Sequence, residues 1–183
     1  MTRQNRRSVL AAGVALPLLT LVRPAARAEA SSPERRLRER GIVLPEPPSP
    51  NPNYAPFVRT GNLIFVSGMG PTRPDGSVAT GKVGRDVTRE EAYQHARLTG
   101  LAILAVLRGA VGGDLDRVTR VVKVLGMVNA TPDFTDHGKV VNGCTDLFIE
   151  VFGEAGRAAR SSVGMISLPS NISVEVEAAF EVS

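Results

Sequence analysis

Apolar and polar positions alternate strictly near the end of the chain, where Val174, Val176, Ala178, Phe180 and Val182 interleave with Glu175, Glu177, Ala179 and Glu181. A period of two over nine residues predicts a strand with one apolar face. The turn residues Leu168-Pro169-Ser170-Asn171 precede it, and before them a short strand carries Arg160 and Ser162, two apart and so on one face. The two segments read as neighbours, which would let a guanidinium meet a carboxylate across them. Arg117 to Val128 predicts a long strand with Val118, Val122, Val124 and Val128 on one face and Val121, Leu125 and Met127 on the other. Apolar residues on both faces require both faces to be covered. Phe57-Val58, a turn over Arg59-Thr60-Gly61-Asn62 and Leu63 to Val66 predict a hairpin, closed by Ser67-Gly68.

Helical periods fill the gaps between these strands. Thr88 with Glu91 three residues later forms a capping box, opening a helix to about Arg108 through Ala92, Leu98, Leu101, Ala102, Ala105 and Leu107. A second helix begins near His137 and carries Val141, Cys144, Leu147, Phe148, Val151 and Phe152 at helical spacing until Gly153. Ser32-Pro33-Glu34 opens a short N-terminal helix that Gly41 ends. The prolines at 45, 47, 48, 50, 52 and 56 then impose an extended lead-in, which we expect to strap that helix to the domain. The order predicts an α+β domain, a mixed sheet with two helices on one face. Two helices cannot cover the second face, so another subunit is expected to meet it.

Charge changes the picture only once it is located. The chain has 22 basic and 18 acidic residues, but residues 1–30 hold five Arg and one Glu, leaving 17 and 17 from Ser31 onward. A formally neutral body lacks the concentrated positive surface that phosphate tracking needs, so no nucleic-acid partner is expected. The basic start reads as an address instead. A positive segment through Arg6 and Arg7 precedes an uncharged stretch from Ser8 to Val22, and a small-x-small pattern follows at Ala26 to Ala30. Fifteen residues fall short of the ~20 that span a bilayer. The arginine pair resembles the twin-arginine export signal. The expected organisation is therefore a signal peptide over 1–30, a helix and proline lead-in over 31–56 and a domain over 57–183, exported to the periplasm or secreted, with no membrane partner once the signal is removed.

Candidate chemistry is sparse. His95 and His137 lack spaced ligand partners, Cys144 sits on an apolar helix stripe, and no nucleotide-binding or nucleophile-elbow motif occurs, so neither a metal nor a cofactor is expected. Arg160 remains, a planar fork of donors suited to a carboxylate, whose alternative is a salt bridge to a glutamate. The run from Arg160-Ser161-Ser162-Val163 through Leu168-Pro169 to Val174-Glu175-Val176-Glu177-Ala178 resembles the C-terminal signature of the Rid family, the reactive intermediate deaminases also called YjgF-like or L-PSP proteins. The Ser67-Gly68 strand end and Asn142 add to the likeness, which spans about Phe57 to Val182.

That resemblance implies a chorismate mutase-like fold, a homotrimer with clefts between subunits, and hydrolysis of a carboxylate-bearing imine or enamine to a 2-oxo acid and ammonia. Arg160 would then bind the carboxylate and Glu175 serve the attacking water. Gly68, Ser162, Asn142 and Phe57 would line the cleft. Three positions depart from the family pattern: Ser162 stands where the well-known deaminases have Cys, Phe57 where they have Tyr, and Gly164 where an acidic residue is common. These departures keep open a non-catalytic carboxylate-binding or chaperone-like protein, and the neutral body weighs against an endoribonuclease. The export expectation is directly testable. Replacing Arg6 and Arg7 by Lys should retain precursor in the cytoplasm on fractionation, and undiminished periplasmic delivery would exclude the twin-arginine route.

Overall fold

The computed structural model describes residues 32–49 and 52–183. The leader expected over residues 1–30 lies outside the described residues. Ser32 caps helix α1 (Pro33–Glu39), its hydroxyl accepting from the Arg35 N–H at 3.4 Å, and Pro33 occupies the first turn, where a missing donor is harmless. Leu37 is buried, Arg36 donates to the Val151 carbonyl at 3.2 Å and the Glu34 carboxylate accepts the Leu115 N–H at 3.1 Å. The short helix is thus held by tertiary contacts, as a helix of two turns must be.

Strands β1 (Phe57–Thr60) and β2 (Leu63–Met69) form a hairpin, followed by α2 (Arg89–Ala110), β3 (Val118–Asn129), α3 (His137–Phe152), β4 (Ala159–Met165) and β5 (Val174–Val182). The turn is tighter than the expected four residues, because Arg59 and Thr60 still pair with Ile64 and Leu63 and only Gly61-Asn62 bridge them. Beyond Val66 the strand continues to Met69 across a register shift at Ser67-Gly68. The sheet order is β1-β2-β5-β3-β4, with β3 and β4 parallel across the α3 crossover and the other pairs antiparallel. This is the mixed α+β sheet anticipated from the element order.

Both helices lie on one face. Thr88 and Glu91 exchange the two bonds of the capping box at the start of α2, which delivers Ile103, Leu104 and Leu107 to the core. Val174, Val176, Phe180 and the stripe of α3 meet them there, with the Phe148 and Phe180 rings edge-on at 5.7 Å. The face assignment along β3 needs correction. Two register shifts against β5, between Val118 and Arg120 and between Val121 and Lys123, break the simple alternation. Val121 therefore joins Val118, Val124 and Val128 in the core, while Val122 is exposed.

The opposite face has no covering layer among the described residues. Phe65 is 47% exposed, Val58 58% and Val163 39%, and Leu125 and Met127 are half-buried beside them. Removing Phe180, whose ring contacts both Phe148 and Phe152, tests the covered face. Phe180→Ala should lower unfolding free energy by about 3–5 kcal/mol in urea titration. A loss below about 1 kcal/mol would mean that the aromatic cluster is not the centre of the core.

Candidate ligand site

Arg160 is the second residue of β4 and lies opposite Val124 of β3, on the face that α3 covers. Its Nη1 donates to Asn142 Oδ1 at 2.7 Å and to Thr145 Oγ1 at 2.9 Å. Asn142 and Thr145 stand three apart on α3 and so share a side of it. No carboxylate lies within 4 Å of Arg160 among the described residues, so the guanidinium is held by neutral acceptors rather than by the salt bridge that would have explained it away. Its second nitrogen, Nη2, faces Gly138 in the first turn of α3, where a Cβ would lie 3.6 Å away. One edge of the fork is anchored and the other is free to receive an anion.

Two residues further along the same face of β4, Ser162 lies opposite Gly126. Its hydroxyl oxygen is buried and has no hydrogen-bond partner among the described residues. An orphaned buried hydroxyl costs about 1–3 kcal/mol until a partner pairs with it. Beneath them Cys144 is fully buried, and burial pushes its thiol up, against the smaller opposing influence of Arg160. It is therefore a packing residue, not a nucleophile.

Gly68 and Glu175 form a second group elsewhere. Glu175 pairs with Met127 on the face of β5 that points away from the helices, and its carboxylate lies so close over Gly68 that a side chain there would collide with it. Burial, and secondarily the neighbouring charge of Glu177, raise the carboxyl pKa of Glu175 above the ordinary value. Phe57, opposite Val66, packs its ring partly buried against the core. The expected meeting of Arg160 and Glu175 across neighbouring strands does not occur within one chain. Strand β3 intervenes between β4 and β5, and the two side chains occupy opposite faces.

The structure thus joins Arg160, Ser162 and Asn142 in one group and Gly68 with Glu175 in another. Thr145 and Gly138 escaped the sequence reading. Their only signal was helical spacing from Asn142, which acquires meaning once α3 is known to lie against β4. His137 also lies beside β4, its Nε2 over Gly164. His95 is bonded through Nδ1 to the buried Ser173 hydroxyl at 2.9 Å, a packing role.

A five-stranded mixed sheet backed by two helices, with an arginine held by neutral acceptors on its edge strand, defines the α+β class of this chain. Residues 34–178 match the family described as "YjgF/chorismate_mutase-like, putative endoribonuclease", and the chain belongs to that family. It is 41% identical over 148 residues to Protein TCP17 of Trypanosoma cruzi, covering 80% of this chain and 92% of the relative. The crystal structure of Atu1372 from Agrobacterium tumefaciens, a protein of unknown function, is 42% identical with a TM-score of 0.76, over 86% of this chain and 97% of that one. A Shewanella oneidensis protein carrying the endoribonuclease description is 33% identical with a TM-score of 0.78, over 82% and 99%.

The environment of Glu175 predicts a pH-dependent stability change. A raised carboxyl pKa means that the folded chain holds this proton more tightly than the unfolded chain, so the burial opposes folding once the group ionises. Glu175→Gln should therefore raise the melting temperature at neutral pH, with the gain shrinking as pH falls through the ordinary glutamate range. Stabilisation that is constant with pH would show that the carboxylate is not strained by its surroundings.

Proposed function

We propose that the protein binds a small carboxylate-bearing imine or enamine at Arg160 and hydrolyses it to a 2-oxo acid and ammonia. The observation that carries this reading is the guanidinium held at Nη1 by Asn142 and Thr145 with no acid beside it. A carboxylate on the free edge supplies the missing counter-charge, and bidentate contact fixes the plane of the substrate. Water then adds across the C=N bond to give a carbinolamine, and cleavage of the C–N bond releases ammonia. Glu175, with its carboxyl pKa already raised, takes the proton from water and returns it to the leaving nitrogen. The backbone of Gly68, open because no side chain is present, borders that carboxylate.

This chemistry needs both groups in one cleft, and one chain keeps them on opposite sides of its sheet. A homotrimer in which the uncovered faces pack around an axis would bring the β2–β5 face of one subunit to the edge strand of the next. The exposed Phe65, Val58 and Val163 support such burial. We further propose export by the twin-arginine route, supported by Arg6-Arg7 and the apolar run after them.

The second reading, a binder without catalysis, is favoured by Phe57, which carries no hydroxyl at the cleft, and by Ser162 in place of a thiol. Ribonuclease action is disfavoured by the 17 basic and 17 acidic residues from Ser31 onward.

Ammonia release from imines generated by an amino-acid oxidase separates these readings. Arg160→Ala should weaken 2-oxo acid binding about 30- to several-thousand-fold, from the ~2–5 kcal/mol lost with one partner of a desolvated pair. Arg160→Lys should restore only part of it. Glu175→Gln should keep or tighten binding and abolish hydrolysis. Binding without hydrolysis above buffer in the wild type would make the protein a binder, and an unchanged Arg160→Ala variant would remove the site.

A further inference from the structure

A cavity of about 570 Å³ opens where β3 and β4 end, walled by Pro132, Phe134 and Met165 and bearing Lys82, Arg85 and His137, with no carboxylate in its lining. The Lys82 ammonium is held only by neutral oxygens: Ile166 O at 2.6 Å, Asn129 Oδ1 at 2.8 Å and Ala130 O at 3.4 Å. The nearby acid, Asp86, is already engaged by Arg85 through two bonds of 2.9 and 2.8 Å and by the Lys82 backbone N–H at 2.9 Å. No carboxylate lies within 4 Å of the Lys82 ammonium among the described residues. A partly desolvated cation satisfied by dipoles alone is a place where an anion gains more than it would in water. The 3.4 Å contact to Ala130 is the one it would displace.

His137 stands between this cavity and Arg160. Its ring meets Phe134 edge-on, with centroids 5.4 Å apart, and neither ring nitrogen bonds to another described residue. The imidazole occupies the space over Gly164 that any larger residue would fill. The next residue is Gly138, which faces the free Nη2 of Arg160. Consecutive Cα atoms lie ~3.8 Å apart, so the arginine edge and the imidazole flank the same turn of α3. Position 138 puts no side chain between the two, and the imidazole itself fills the space that Gly164 leaves.

We propose that the Arg160 cleft continues past His137 into the Lys82 cavity, and that the ligand is a short dicarboxylic 2-oxo or 2-imino acid. One carboxylate rests on Arg160, and the distal one accepts from the His137 ring N–H and the Lys82 ammonium. The inference rests on the reading of Arg160 as a carboxylate anchor and adds the class of ligand.

Isothermal titration tests it with chain-length pairs, 2-oxoglutarate against 2-oxopentanoate and 2-oxoadipate against 2-oxohexanoate. In at least one pair the dicarboxylate should bind about tenfold or more tightly, the worth of a charged hydrogen bond. His137→Leu should collapse that ratio towards unity. Gly164→Ala, which turns the imidazole out without removing it, should do the same, with circular dichroism verifying that both variants fold. Equal binding within both pairs, with all binding lost in Arg160→Ala, would overturn the second subsite and leave the anchor standing. A preference that survives both variants would also overturn it, and failure of all four acids to bind the wild type would remove the anchor and the subsite together.

Discussion

Two helices can cover only one face of a five-stranded sheet, and the organisation of this protein follows from that limit. The alternation in β5 sends Val174, Val176 and Phe180 into the helices and Glu175 and Glu177 to the other side. The same alternation in β4 sends Arg160 and Ser162 towards α3. Because β3 lies between β4 and β5, the guanidinium and the carboxylate are separated both laterally and through the thickness of the sheet. Apolar burial thus sets where charge can stand, and the open face that remains carries Phe65, Val58 and Val163 to solvent in the single chain.

Within that frame, the electrostatics of the arginine are unusual in what they omit. Arg89, Arg97 and Arg157 all have carboxylates, whereas Arg160 is held by an amide oxygen and a hydroxyl. Neutral acceptors orient a guanidinium without cancelling its charge, so the field at the free edge survives for a ligand. Lys82 follows the same rule with carbonyl oxygens and the Asn129 amide, which is itself fixed by Asn171 at 3.0 Å and the Ile172 carbonyl at 3.1 Å. Two cations are held in this way although the chain from Ser31 onward is formally neutral.

Glycines shape both faces of the sheet as much as charged residues do. Gly164 leaves room for the His137 ring. Gly68 performs the equivalent service for Glu175 on the other face. In both cases the missing side chain is what allows a functional group from another element to approach the backbone closely.

Local pattern alone determined the elements. The capping box at Thr88 and Glu91, the apolar stripe from Val141 to Phe152 and the alternation from Val174 to Val182 each depend on residues within one or two turns of each other, and each stands in the structure as read. The candidate arginine, Arg160, was legible for the same reason, through the contiguous run around it. Strand order was not legible, because it is decided by which apolar surfaces bury best over the whole chain, and the insertion of β3 between β4 and β5 leaves no mark at either strand. The face of Val121 and Val122 was likewise hidden, since register shifts against β5 depend on the partner strand. Thr145, Gly138 and His137 became site residues only when α3 was laid against β4, a contact between segments whose spacing in sequence carries no period to read.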